Sequence, residues 1–342
     1  MKPKHLFVHI LAVILAFPFL GTLAQASVTI EVLDTFNYFV WGSQTRPQKI
    51  NDNLDIVGEF ADHAGTTNGF IRSHRAPGHA GNSFMHALHE PNDTGFTEGR
   101  GINNSRWVCG DYLDSAGTFH GFFHLGYKTS PYTDYDVPGS LGTSVLGINN
   151  VNDFVGTVTG TDGIARAFSS IGGTVTQIDI PDATFSAAYQ LNASNTLVGY
   201  YIDSAGINHG FYQDSAGVLH APIDPPGSTG TILFGINNQN WIVGRYEDSS
   251  GVTHGLLFMA PGKFVTWDYP GSTFTSLNGI NKNGYICGRY LEDSGTETGF
   301  VALVVRSSES DTEIETNITV PAGPVRPKVP SSSERPSQVP AS

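Results

Sequence analysis

The residues best suited to chemistry in this sequence are histidines and turn carboxylates. His74, His79, His86 and His89 all fall within one short stretch, residues 71–90. His86-x-x-His89-Glu90 offers two imidazoles and a carboxylate, a donor set that suits zinc. The order differs from His-Glu-x-x-His, and no helix is predicted to hold the three groups together. Turns such as Asp114-Ser115-Ala116-Gly117 supply oxygens of the kind calcium takes, but no copy matches an EF-hand loop or a sialidase-type Asp box. Cys109 and Cys287 have no evident histidine partner in the sequence, so neither reads as a nucleophile.

The elements that must position these groups are repeats. An Ile-Asn or Leu-Asn pair recurs with its Asn at Asn51, Asn103, Asn149, Asn192, Asn237 and Asn281, in steps of 52, 46, 43, 45 and 44 residues. Seven residues after each Asn stands a glycine, from Gly58 to Gly288, and fourteen after it another, from Gly65 to Gly295. Nineteen after it comes Phe70, Phe122, Phe168, Phe211, Leu256 or Phe300. The pair before the first glycine is apolar in every copy, as in Ile56-Val57 and Ile242-Val243. Adjacent apolar residues point to opposite faces of a strand, so this strand is buried on both sides. The glycine that follows lets a neighbouring backbone or ring come close.

An Asp-x-x-Gly turn comes next, with hairpin chemistry: Asp bonds its own downstream backbone and Gly takes positive φ. A further strand carries His-Gly-Phe, and the last ends in Asp-x-Pro at Asp136, Asp179, Asp224 and Asp268. Four short strands in about 44 residues are the content of a propeller blade. Gly inside the apolar runs and the absence of a 3.6-residue period argue against helical repeats; a β-solenoid would use shorter coils. The last copy stops after its third strand near Val305, while an orphan strand, Val28–Asp34, opens the repeat region. It resembles the missing fourth strand, Phe264–Asp268. The predicted fold is therefore all-β: a six-bladed β-propeller whose last blade is closed by the N-terminal strand.

The phrasing GINN, then VG-x-Y-x-D, then HGF, then D-x-PG resembles the bacterial extracellular HAF-repeat proteins across about residues 50–303. That resemblance implies export and a propeller-like array, and attaches no particular reaction. This chain writes His-Gly-Phe where the family name has His-Ala-Phe, and only Arg166-Ala167-Phe168 keeps the alanine.

Lys2 and Lys4, an apolar run from Leu6 to Ala24 and the small-x-small site Ala24-Gln25-Ala26 read as a signal peptide, residues 1–26. The repeat domain is placed at 27–305 and a Pro/Ser-rich disordered tail at 306–342. No later segment approaches the ~20 apolar residues a membrane span requires. The formal net charge is −13 and becomes about −15 once Lys2 and Lys4 leave with the leader. So acidic a chain repels phosphate backbones and anionic lipid, which argues against nucleic acid and leaves an extracellular glycan or protein as partner.

Residues repeated in every copy answer to the fold, because a functional site breaks the symmetry of its scaffold. The repeated Asn, Asp and Gly are thus read as turn and cap residues. His120, His209 and His254, whose position is held elsewhere by Asn68, Arg166 and Thr298, are read as packed on a strand end. The cysteines stand where other copies have Val and belong to non-adjacent blades, so two free buried thiols are expected. The 71–90 insert is the symmetry-breaking segment that stands out. The expected function is a secreted binding or scaffold module, monomeric and without a cofactor unless calcium or zinc is held as above. The alternative is a propeller hydrolase or lyase acting on polysaccharide or a similar substrate.

Overall fold

Each blade is a four-stranded sheet in a computed structural model that describes residues 28–37, 44–62, 64–73, 84–259 and 262–306. After β1 (Val28–Phe36), the first blade is β2 (Gln44–Ile50), β3 (Ile56–Ala61), β4 (Thr67–Ser73) and β5 (Phe84–Leu88). The second is β6 (Thr97–Ile102), β7 (Trp107–Leu113), β8 (Phe119–Leu125) and β9 (Tyr132–Tyr135). The third is β10 (Gly142–Ile148), β11 (Phe154–Thr159), β12 (Ala165–Ile171) and β13 (Thr174–Gln177). The fourth is β14 (Phe185–Leu191), β15 (Leu197–Ile202), β16 (Asn208–Gln213) and β17 (Leu219–Ile223). The fifth is β18 (Ser228–Ile236), β19 (Trp241–Asp248), β20 (Thr253–Met259) and β21 (Lys263–Trp267).

The sixth blade contains β22 (Thr275–Ile280), β23 (Tyr285–Leu291) and β24 (Glu297–Arg306), and its fourth strand is β1. The first strands of successive blades touch in cyclic order, β2 to β6, β10, β14, β18, β22 and back to β2. The ring is closed, the first strands line its axis, and the predicted architecture, closure included, is the one observed. The propeller unit runs from Val28 to Val305. No helix among the described residues is long and apolar enough to cross a membrane.

The repeat residues explain the packing. Ile56 joins a core cluster with Cys287 and Val301 of the sixth blade, whereas its neighbour Val57 joins one with Ile102 and Val108 of the second. One strand thus cements two junctions, as its doubly apolar pattern predicts. Gly110 pairs in register with Phe122, and a Cβ there would sit 2.7 Å from that ring. Only a bare Cα lets the ring lie over the second strand, which leaves Phe122 fully buried. Burial of such a ring stabilises by about 1.5–3 kcal/mol, and a phenylalanine at this place is fully buried in five of the six blades.

Both cysteines are free and buried, as expected, and burial raises both thiol pKa values.

Candidate binding site in the central channel

The six repeat asparagines do more than cap turns. Each Oδ1 accepts the backbone N–H groups two and four residues on, for example Ser105 and Trp107 at 3.0 Å each for Asn103. Each Nδ2 donates to the carbonyl of the equivalent Asn in the next blade. The chain of bonds runs Asn51 to Asn103 (3.0 Å), Asn149 (3.1 Å), Asn192 (3.4 Å), Asn237 (3.2 Å), Asn281 (3.1 Å) and back to Asn51 (3.1 Å). This closed ring narrows one end of the channel around a cavity of about 60 Å³, room for about two waters. The turn role was legible in the sequence. The inter-blade bond was not, because it depends on ring closure.

The other end of the channel lies where the inner strands begin, beside the Asp-x-Pro connections and the Asp-x-x-Gly turns. His120 Nδ1 lies 2.8 Å from Asp136 and its Nε2 3.4 Å from Asp114. His209 bridges Asp224 (2.6 Å) and Asp203 (3.4 Å) in the same way, and His254 bridges Asp268 (2.9 Å) and Asp248 (3.3 Å). The rings lie over Tyr112, Tyr201 and Tyr246, centroids 5.3, 5.2 and 5.0 Å apart. Both imidazole nitrogens are engaged, so these histidines staple a hairpin turn to the Asp-x-Pro connection and offer no free donor.

Burial works against the charge of each of these rings. The hydrogen bonds and charges of the flanking aspartates outweigh it, and all three pKa values rise above 6.5. A raised folded-state pKa means a contribution that is complete below about pH 6.5 and is lost as pH rises through the folded value. The unfolding midpoint is therefore expected to fall by a few degrees between pH 6.5 and about pH 8. Replacing His120, His209 and His254 together by Gln should flatten that slope in thermal scans; an unchanged slope would refute the staple.

The described part of the insert expected to break the symmetry does not gather its donors. His74 and His79 lie outside the described residues. His86 lies half-buried on β5, its pKa lowered by burial and then by the charges of Arg106 and Lys128. His89 is exposed, with its backbone N–H on the Tyr132 hydroxyl at 3.0 Å. Glu90 is buried and accepts from the Asn92 backbone at 2.5 Å. Among the described residues no three His, Cys, Asp or Glu groups are gathered as metal ligands would be.

Symmetry breaks on the channel axis instead. In every blade the inner strand slips register near the third residue before its Asn, as between Pro47 and Lys49 or Gly99 and Gly101. Such a bulge re-aims a side chain. A cavity of about 170 Å³ is lined only by the residues three and five before the Asn and eight after it. Those three before are Gln48, Arg100, Tyr189, Phe234 and Asn278; those five before are Arg46 and Ile232. Those eight after are Glu59, Tyr200, Arg245 and Arg289. They come from five different blades, and no two copies supply the same set.

The charges are unevenly matched. On the first two blades, Arg100 pairs with Glu98 and lies 3.2 Å from Asp111 and 3.6 Å from Glu59. Gln48 and Ser144 add bonds to Glu59 (3.2 Å) and Asp111 (2.8 Å). Arg46 lies 3.9 Å from Glu59 and binds Glu297, which is 3.6 Å from Arg289. Burial, with the charges of Glu59 and Asp111 added, pushes Glu98 well above the usual carboxylate range although Arg100 opposes it. On the fifth blade, the Arg245 guanidinium lies 5.5 Å from the rings of Phe234 and Phe274 and makes no ion pair among the described residues. Burial and then the charge of Arg289 lower it to about 10, still protonated at neutral pH.

Lys49 stands one residue nearer the Asn ring, where four other copies have glycine. Its Nζ is buried with no hydrogen-bond partner and lies 5.7 Å from the ring of Tyr189, three blades away. Burial lowers its pKa to about 8.

No protein-family model and no curated protein sequence matches this chain. Among solved structures it resembles a putative TolB from Agrobacterium tumefaciens, with a TM-score of 0.51 at 12% identity over 82% of this chain and 99% of that one. That likeness supports the propeller fold and nothing finer. Weaker matches are a mutant Aleuria aurantia lectin in complex with alpha-methyl-L-fucoside (TM-score 0.45, 10% identity, 82% and 96% covered) and a Xanthomonas campestris gluconolactonase (0.43, 10%, 80% and 91%).

Proposed function

We propose that this chain is an exported binding module whose ligand enters the axial cavity. One observation carries the reading: the copies diverge in charge and shape at the three positions that line this cavity. A scaffold maintained by symmetry alone has no use for Arg, Glu, Tyr and Phe at equivalent places, whereas a ligand site does.

Isothermal titration of the purified protein with glycans, peptides and small metabolites tests the reading. Saturable binding is expected, weakened by Tyr189→Ala and Tyr200→Ala, which widen the cavity and remove its aromatic wall. Silence across the set would leave a passive structural protein. Turnover of a polysaccharide or lactone would favour the hydrolase or lyase alternative. Export is read independently by the intact mass of the cellular product, expected to begin at Ser27.

A further inference from the structure

Resting on that reading, the cavity's unmatched charge names the ligand class: we propose that it takes a small organic carboxylate, set against Arg245 and Arg289. The carboxylates of the channel are already engaged by Arg46, Arg100, Gln48 and Ser144. Two of the cations are not. Among the described residues Arg245 makes no hydrogen bond or ion pair, and the Lys49 ammonium is buried without a hydrogen bond.

A cation held inside a cavity without an ion-pair partner is costly, and Arg245 and Arg289, each 5.5 Å from the Phe274 centroid, repel each other although Glu297 lies 3.6 Å from Arg289. An anion between them supplies the partner that Arg245 lacks, and a carboxylate matches the planar guanidinium fork. Around it, Tyr189, Tyr200 and Phe234 present ring faces and edges to carbon–hydrogen groups, their centroids 5.9 Å (Tyr189–Tyr200) and 5.2 Å (Tyr189–Phe234) apart. About 170 Å³, room for about five or six waters, suits a molecule no larger than a monosaccharide acid. The excess of cations lies inside a chain whose formal net charge is −13, so it is a local feature and not a general surface property.

The test titrates the full mature protein with lactate, succinate, gluconate and galacturonate, each against an uncharged counterpart (lactamide, succinamide, sorbitol, galactose), and with inorganic phosphate. At least one carboxylate should bind saturably, about tenfold or more tighter than its counterpart and than phosphate. Arg245→Met should abolish that preference, while His209→Gln at the rim should keep it. Without ligand, Arg245→Met should melt no lower than the parent, because it replaces a half-buried charge without an ion-pair partner by an apolar chain of similar length. A lower midpoint would make Arg245 a structural residue and overturn the proposal. So would galactose or sorbitol binding as well as its acid, or phosphate binding best, while leaving the binding-module reading intact. No binding by these probes or by the wider glycan and peptide set would overturn both.

Discussion

Asn103→Ala is expected to lower the unfolding free energy by about 2–5 kcal/mol and to do so for the whole ring in one transition. Asn103 is only 2% exposed and serves four partners. Its Oδ1 accepts from the Ser105 and Trp107 backbones, and its Nδ2 donates to the Asn149 carbonyl at 3.1 Å and to Asn152 Oδ1 at 2.9 Å. Alanine leaves these donors and acceptors without their partner, and the cost of an unmade buried bond, about 1–3 kcal/mol each, is larger than the net worth of a made one. Asn103→Asp separates the two roles. It keeps the turn acceptor but turns a carboxylate oxygen toward two acceptors of the third blade. The aspartate variant should be at least as unstable as the alanine at neutral pH and should recover as acid protonates it. Urea denaturation at neutral and acidic pH reads both effects. A loss under about 0.5 kcal/mol for Asn103→Ala, the range of an ordinary surface change, would remove the inter-blade ring from the account of stability.

The fold was readable because its causes are local and repeated six times. Gly110 must admit a ring, Gly117 must take positive φ (79°), and Asp114 must accept its own downstream amides at 2.9 and 2.8 Å. Each requirement leaves a residue type at a fixed offset. The rim histidines were half readable: their place at a strand end was plain, but the second aspartate that each one holds belongs to a connection 14–16 residues away.

The channel site had a signal of the opposite kind. Glu59, Asp111, Thr157, Tyr200, Arg245 and Arg289 all occupy the place directly after the repeat glycine, where the copies range from acid to base. What the spacing alone does not reveal is convergence. Residues eight positions after an Asn meet only because six blades share an axis, and residues three before it turn inward only because of a bulge. His86 and His89 show the converse. They are close in sequence, yet among the described residues no third metal-ligating group is gathered with them.

Deleting Val28–Phe36 is expected to cost at least about 5 kcal/mol and to convert the protein into a self-associating species. This strand is mostly exposed, so its value lies in what it joins. Its backbone completes the sixth blade beside β24, and Ile30 enters a core cluster with Leu257 of the fifth blade and Phe300 and Val304 of the sixth. Its far end belongs to the first blade: Asp34 pairs with Arg72 of β4, and Phe36 lies edge-on to Phe70 at 6.4 Å with the Arg72 guanidinium 4.2 Å from its ring. One strand therefore spans the junction where the ring is closed, and its loss uncovers β24 as an edge and takes the Asp34 carboxylate from Arg72. Size-exclusion chromatography with thermal unfolding should show oligomers and a lowered midpoint. A synthetic peptide spanning Val28–Phe36 should restore both by adding a strand to the open edge. If the shortened protein stayed monomeric with an unchanged midpoint, the ring would hold through its inner strands and Asn bonds alone, and the terminal strand would be a cover and not a clasp.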